Sequence, residues 1–358
     1  MSKQNNYFDE RNLKTYERFE KIVEEDLPYF CIEFFNAIDT QTTYLTKLNY
    51  AMDLAIFFDF LIHKHKDFKG LLPIDIEIEQ LNSIAATDIE YFLRYLSFYK
   101  YKGVQRKNSD RSKARKLSTI KSLFSHFYSR DKLKENVTTK VKSPKIRSKP
   151  IIRLEDNEVN QLLKNIESEN ALNSKFQNSY NKKLSFRDYT IITLILNTGI
   201  RISECVGLDI DDIDLSNNSF SVTRKGGNIA QLYYSNDIKD LLELYLEHRN
   251  NVIAKNREID PKDANALFIS LQGKRLGVRS IQNIVKKYAK TAAPLKNISP
   301  HKLRATFGTA LYNATGDIYV VAEVLGHKDI NTTKEYYAAT SEKIKKDAVS
   351  SFSYEKNN

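Results

Sequence analysis

The sequence predicts a mainly α-helical protein of two domains with one small β-hairpin in its second half, and three observations carry that expectation. Successive segments of the first half place apolar residues at three- and four-residue spacing. A stretch from Thr138 to Arg153, with two prolines, no acids and no helical period, separates the halves. The second half is again mostly of helical period, interrupted by β-branched and aromatic residues on either side of Gly226-Gly227. At 358 residues the chain is long for one domain and comfortable for two cores.

In chain order, Thr42 to His63 carries Leu45, Leu48, Met52, Ala55 and Ile56 on one helical face, and Thr87 to Tyr99 carries Ile89, Phe92, Leu93 and Leu96. A third helix starts near Ser109-Asp110, with Leu117, Ile120, Leu123, Phe124 and Phe127 on one side and Arg111, Lys113, Arg115, Lys116 and Lys121 available for the other. Phe124, Phe127 and Tyr128 are expected in the core rather than as a base-stacking platform. The domains are expected at 1–140 and 154–358, joined by a basic linker, 141–153, that contains Lys142, Lys145 and Arg147. The second domain opens with a helix through Val159, Leu162, Leu163 and Ile166. Its hairpin spans Ser219 to Tyr234, with Arg224 and Lys225 near the tip.

Charge locates a partner. From Tyr101 to Pro150 there are sixteen Lys or Arg against three acids, a local excess of +13 in a chain whose formal total is +11. Such a concentration suits a phosphate backbone, because each neutralised phosphate releases counterions. The competing reading is a solvated basic face. No apolar run approaches a membrane span and the N-terminus lacks a signal peptide's pattern, so a cytoplasmic protein is expected. Cys31 and Cys205 are far apart, without metal-ligand spacing, and are expected to be buried apolar residues.

Four segments can carry chemistry. Arg201 follows a glycine just after an apolar helix (Ile191 to Leu196), at a helix junction where a guanidinium can face a ligand. Lys225 stands on the hairpin. Ser299-Pro-His-Lys-Leu-Arg reads as an N-cap serine, a first-turn proline, then His301 and Arg304 on one helix face. Leu325-Gly-His is followed by Thr-Thr and by Tyr336, nine residues after His327. Singly each is weak, since the chain has 21 tyrosines. Together, two arginines, a lysine, two histidines and a tyrosine are what phosphoryl transfer from DNA requires without a metal ion.

Arg201, Lys225, His301, Arg304, His327 and Tyr336, in this order and spacing, resemble the tyrosine recombinase (integrase) family. The resemblance covers the second half nearly end to end. The Val-Thr-Arg-Lys-Gly-Gly hairpin and the Asp26-Leu-Pro-Tyr-Phe segment look most like the Xer recombinases, of the type in which one recombinase acts alone. One departure is visible: Ala305 stands where the family often has a histidine.

The resemblance implies a helical, SAM-like core-binding domain and a mixed α/β catalytic domain that together form a C-shaped clamp on DNA. Arg201 and Arg304 would hold the scissile phosphate, with His327 donating a further hydrogen bond. Tyr336 would attack, His301 would take its proton, and Lys225 would protonate the departing 5′-oxygen. Glu204 would orient or pair with these cations. No cofactor, metal ion or ATP would be needed. Four protomers would assemble on two duplexes, with a DNA translocase or accessory factor as a possible partner. The tail from Ala338 to Phe352, with Ile344, Ala348 and Val349 at helical spacing, would dock on a neighbouring protomer or pack on its own domain. Resolution of chromosome dimers and integration of a mobile element use the same chemistry. The absence of an obvious extra N-terminal arm-binding domain leans toward the former. A topoisomerase-like relaxing enzyme and a DNA-binding protein without catalysis remain as further alternatives.

Overall fold

In a computed structural model the chain divides into two compact units, Met1–Lys149 and Pro150–Asn358. The structure describes residues 6–146, 152–168, 175–224, 227–253 and 259–326. Lys225, Arg147, His327, Tyr336 and the tail from Ala338 lie outside the described residues. Among the described residues no helix is long and apolar enough to cross a membrane.

The first unit holds α1 (Asn6–Asp26), α2 (Cys31–Ala37), α3 (Tyr44–Lys64), α4 (Ala86–Tyr95), a hairpin of β1 (Tyr99–Tyr101) and β2 (Val104–Arg106), and α5 (Asp110–Tyr128). Helix α3 packs against α1 and α5. It is buried on more than one face, through Leu48, Ala51, Leu54, Ile56, Phe57, Phe58, Phe60 and Leu61, while Leu45 and Met52 are exposed. The one-faced expectation for this segment is therefore corrected: a central helix meets neighbours all round. Phe34, Phe92, Phe124 and Phe127 complete an aromatic core, each buried ring contributing roughly 1.5–3 kcal/mol. Helix α4 stops at Tyr95, and Tyr99, expected at its end, instead begins β1. Strands of three residues show too few alternations to be read from sequence.

Helix α5 starts where expected, with the Ser109 hydroxyl accepting the Ser112 N–H at 3.3 Å. Its basic face is not uniform. Lys116 is buried, with its ammonium 2.6 Å from the fully buried carboxylate of Asp53. Arg115 forks onto both oxygens of the same carboxylate and Thr119 donates to it at 3.2 Å. This corrects the reading of Lys116 as a DNA contact: its charge is spent inside the fold. Lys113 donates to Ser97 at 2.7 Å, and Lys121 to the Val141 carbonyl at 2.9 Å. Arg111, Lys142 and Lys145 are exposed. Val141, expected in the linker, is buried in the first unit's core.

The second unit runs α6 (Asp156–Ser168), α7 (Lys175–Thr198), α8 (Ile202–Gly207), β3 (Ile213–Asp214), β4 (Ser219–Thr223), β5 (Ile229–Tyr233), α9 (Asn236–Ile253), α10 (Pro261–Ala264), α11 (Val278–Ala292), α12 (Pro300–Thr315) and α13 (Ile318–Leu325). The expected hairpin, β4 with β5, gains a short third antiparallel strand, β3, on the other edge of β4. Helix α7 packs against α6, α9 and α12, and α12 carries α13. The Leu154 N–H donates to the Thr306 hydroxyl at 3.0 Å, tying the unit's first residues to α12. Cys31 and Cys205 are free and buried, and burial pushes the Cys205 thiol up to about 12.

Candidate active site

The site begins where α7 ends. Gly199 adopts a left-handed conformation (φ 61°), and a Cβ there would collide with Phe307 of α12 and Leu325 of α13. Only glycine lets the turn approach both helices, and the turn delivers Arg201 as the residue that opens α8. Buried Glu204, one turn into α8, fixes that arginine twice. Its Oε2 accepts the Arg201 backbone N–H at 2.9 Å, and its Oε1 accepts the guanidinium at 2.8 Å. The paired charge keeps the buried carboxylate compensated.

Helix α12 supplies the second cation. Pro300 occupies its first turn as expected; the Ser299 side chain stands at the N-cap position but makes no capping hydrogen bond. Arg304 is 4% exposed. Its guanidinium donates to the carbonyls of Gly199 and Leu325. His301, one turn earlier, is exposed as a residue while its ring is partly desolvated by its neighbours. Partial burial, then Arg304 and Arg201, hold its imidazole below the ordinary histidine range.

A third guanidinium, not anticipated as part of the site, arrives from the hairpin. Arg224 follows β4 directly; its N–H donates to the Asn228 carbonyl at 2.8 Å and its carbonyl accepts from Gly227 at 3.1 Å. Its Nη2 donates to the Val324 carbonyl at 3.0 Å, while its buried Nε has no hydrogen-bond partner among the described residues. Burial first, and Arg201 with it, lower the guanidinium's pKa from its usual value, with Glu204 opposing.

These cations converge on one acceptor, the end of α13. Carbonyls 324, 325 and 326 take hydrogen bonds from Arg224, Arg304 and Arg201 respectively. Carbonyls in a helix's last turn lack intrahelical partners and carry the negative end of its dipole, so they can hold cations that otherwise repel one another. Gly326 terminates α13 in a left-handed conformation (φ 60°), and a Cβ there would strike the Arg224 guanidinium. Among the contacts described, three guanidiniums and one carboxylate, Glu204, come together, a balance suited to a phosphate diester. Among the described residues no group of His, Cys, Asp or Glu could hold a metal ion.

Residues 152–343 match the phage integrase family. The chain belongs to that family, the tyrosine recombinases. Tyrosine recombinase XerC of Leptospira interrogans (serovar copenhageni) is 27% identical over 330 residues, covering 92% of this chain and 94% of that protein. XerC of Caldanaerobacter subterraneus is 31% identical over 325 residues, 89% of this chain and 83% of that one. In fold, the recombinase is similar to the XerH site-specific recombinase bound to palindromic difH substrate, with TM-score 0.62 and 20% identity over 86% of this chain and 80% of that chain. It is also similar to the Tn1549 transposon integrase in complex with transposon right end DNA, with TM-score 0.59 and 19% identity over 86% and 94%. The recombinase is a site-specific enzyme of the tyrosine, Xer-like type.

Proposed function

We propose that this recombinase resolves chromosome dimers by cutting and rejoining DNA through Tyr336. The observation that supports the chemistry is the convergence of Arg201 and Arg304 on the end of α13, one residue before His327 in the chain, with His301 in the field of both arginines. In the proposed reaction Arg201 and Arg304 hold the non-bridging oxygens of the scissile phosphate, exchanging helix-end carbonyls for a stronger, charged acceptor. His327 donates a further hydrogen bond to the phosphate. The Tyr336 phenol, with an ordinary pKa of about 10, attacks phosphorus as it loses its proton to His301. The new bond is phosphorus to tyrosine oxygen; the bond broken runs from phosphorus to the 5′-oxygen, which takes a proton from Lys225. The freed 5′-hydroxyl of one duplex then attacks the phosphotyrosine of the other. The phosphodiester energy is held in the intermediate, so the reaction requires neither ATP nor a metal ion.

Strand exchange between two duplexes calls for four protomers, and a DNA translocase or accessory factor would set the order of cleavage. Phosphate contacts in the first unit are assigned to the exposed Arg111, Lys142 and Lys145, with Arg147 completing the basic run in sequence.

Integration of a mobile element is the second reading, favoured by the likeness to a transposon integrase. One experiment separates them. The recombinase is incubated, without metal or ATP, with nicked duplexes carrying either the host's chromosomal dimer-resolution site or candidate element ends. A protein–DNA adduct stable to denaturant on the chromosomal site, lost in Tyr336→Phe with DNA binding retained, is expected. Adduct only on element ends would establish the integrase reading. Adduct retained by Tyr336→Phe would remove Tyr336 as the nucleophile.

A further inference from the structure

We infer that Arg115 is a specificity-determining residue of the first unit: the buried carboxylate of Asp53 holds its guanidinium so that the free edge is presented to a guanine in the major groove of the bound duplex. The inference rests on the reading of this enzyme as one that acts on DNA, and is independent of which site it recombines. Three observations carry it. Asp53 of α3 is fully buried, and its two oxygens take both Nη groups of Arg115, the Lys116 ammonium at 2.6 Å and the Thr119 hydroxyl at 3.2 Å. These donors fill the roughly four acceptor positions of a carboxylate, so the anchor is saturated before DNA arrives.

The second observation is how the charges divide. The Lys116 side chain is 6% exposed and that of Arg115 is 47% exposed. Lys116 therefore supplies the counter-charge that the buried carboxylate needs, and Arg115 adds a direction. A mobile lysine serves a phosphate well; a planar fork locked from behind is useful where orientation is read. The third observation is the edge left over. An end-on fork to Asp53 uses an N–H on each Nη and leaves the Nε–H parallel to an outer Nη–H. Among the described residues, Asp53 is the acceptor of this guanidinium. The free edge matches guanine, whose O6 and N7 lie side by side in the major groove and form the commonest specific contact of arginine.

The surface around Arg115 admits a duplex. One stripe of α5 carries Arg111, Arg115, Ser118 and Ser125, all exposed, with half-buried Ser122 between them. Short hydroxyl side chains and the lack of an acid on this stripe allow the helix to approach the floor of a groove about 12 Å wide.

The test reads sequence preference without cleavage. Full-length wild type, Arg115→Met and Asp53→Asn, each first checked by circular dichroism melting, select from a pool of random-sequence duplexes, and the bound DNA is sequenced. Arg115→Met keeps the apolar stem and leaves Asp53 paired with Lys116. Wild type is expected to require guanine at one position of its enriched site, and Arg115→Met to lose about 5- to 150-fold of that preference while the other positions keep theirs. Replacing that guanine by 7-deazaguanine, which lacks the N7 acceptor, should weaken wild type and leave Arg115→Met unaffected. Asp53→Asn, whose amide donors face the fork, should blur the same position alone. If it does not fold, Asp53→Glu, which shifts the carboxylate by one methylene, is read in its place.

An enriched site whose guanines all keep their preference in Arg115→Met overturns the inference and leaves the enzyme a site-specific DNA binder. Equal weakening of every sequence by Arg115→Met, with a shallower salt dependence, makes Arg115 a phosphate contact and overturns it too. A folded Asp53 variant that keeps the wild-type preference removes Asp53 as the positioning residue. Enrichment of no sequence by wild type removes sequence-specific binding itself, and the inference with it.

Discussion

Arg304 is a charged side chain with 4% of its surface exposed, held by the carbonyls of Gly199 and Leu325. Neither of these acceptors is ionised, so neither cancels the charge, and an incoming phosphate oxygen gains more from it than from a solvated arginine. The same field acts on His301. Burial and the neighbouring Arg304 and Arg201 lower its pKa, so the ring stays neutral, and able to accept the proton of Tyr336, further into acid than a free imidazole. The acid limb of the cleavage rate against pH is expected below about 6.5, the ordinary value for histidine. A limb above that value would take the role of base away from His301. The linkage has a matching sign for stability. Protonating a histidine whose folded pKa is depressed opposes folding, so this contribution is present above the ordinary range and is lost as pH falls through it.

At the scale of elements, helix ends do the positioning. The left-handed turn at Gly199 delivers Arg201, the hairpin delivers Arg224, and α13 offers three successive carbonyls to hold the cations. In the first unit the corresponding device is internal. Helices α3 and α5 are pinned by Asp53, which receives Arg115, Lys116 and Thr119. Removing one member of a buried ion cluster leaves the others uncompensated. Asp53→Ala is therefore expected to lower the stability of the first unit by about 3–5 kcal/mol, measured by urea unfolding followed by circular dichroism, with Lys116→Met losing less. A loss under about 1 kcal/mol for Asp53→Ala would mean that water already screens the cluster. Helix α5, read from its apolar spacing and Ser109 cap, is an element whose start and core face agree with the sequence reading. Helix α3 is not, because burial on several faces erases the contrast on which a periodicity reading depends.

For the whole molecule, binding to DNA is governed by the charge that remains available outside the fold. Lys116 is buried against Asp53, whereas Arg111, Lys142 and Lys145 are among the basic residues of this stretch that stay exposed. Replacing those three by Gln is expected to weaken binding and to reduce the slope of log affinity against log salt by about 0.9 for each phosphate that is no longer neutralised. Lys116→Gln should leave that slope unchanged once unfolding is accounted for. An unchanged slope in the triple variant would make this surface a solvated face rather than one that meets phosphates.

The sequence by itself determined the two-part organisation, the helical character, the main hairpin and the kinds of residue able to act on a phosphate. Each is written in local spacing: apolar period, Gly-Gly turn, histidine and arginine one helical turn apart, tyrosine nine residues after histidine. It also supplied the family likeness, which rests on order and interval. The tertiary structure alone decided how charges were partitioned. Lys116 and Arg111 lie on the same helix, yet one neutralises a carboxylate 63 positions earlier and the other faces solvent. Arg224 reads as a turn residue until a carbonyl 100 positions later accepts its guanidinium. A charge's role depends on what the fold places within hydrogen-bonding distance, and partners at that separation leave no periodic trace along the chain.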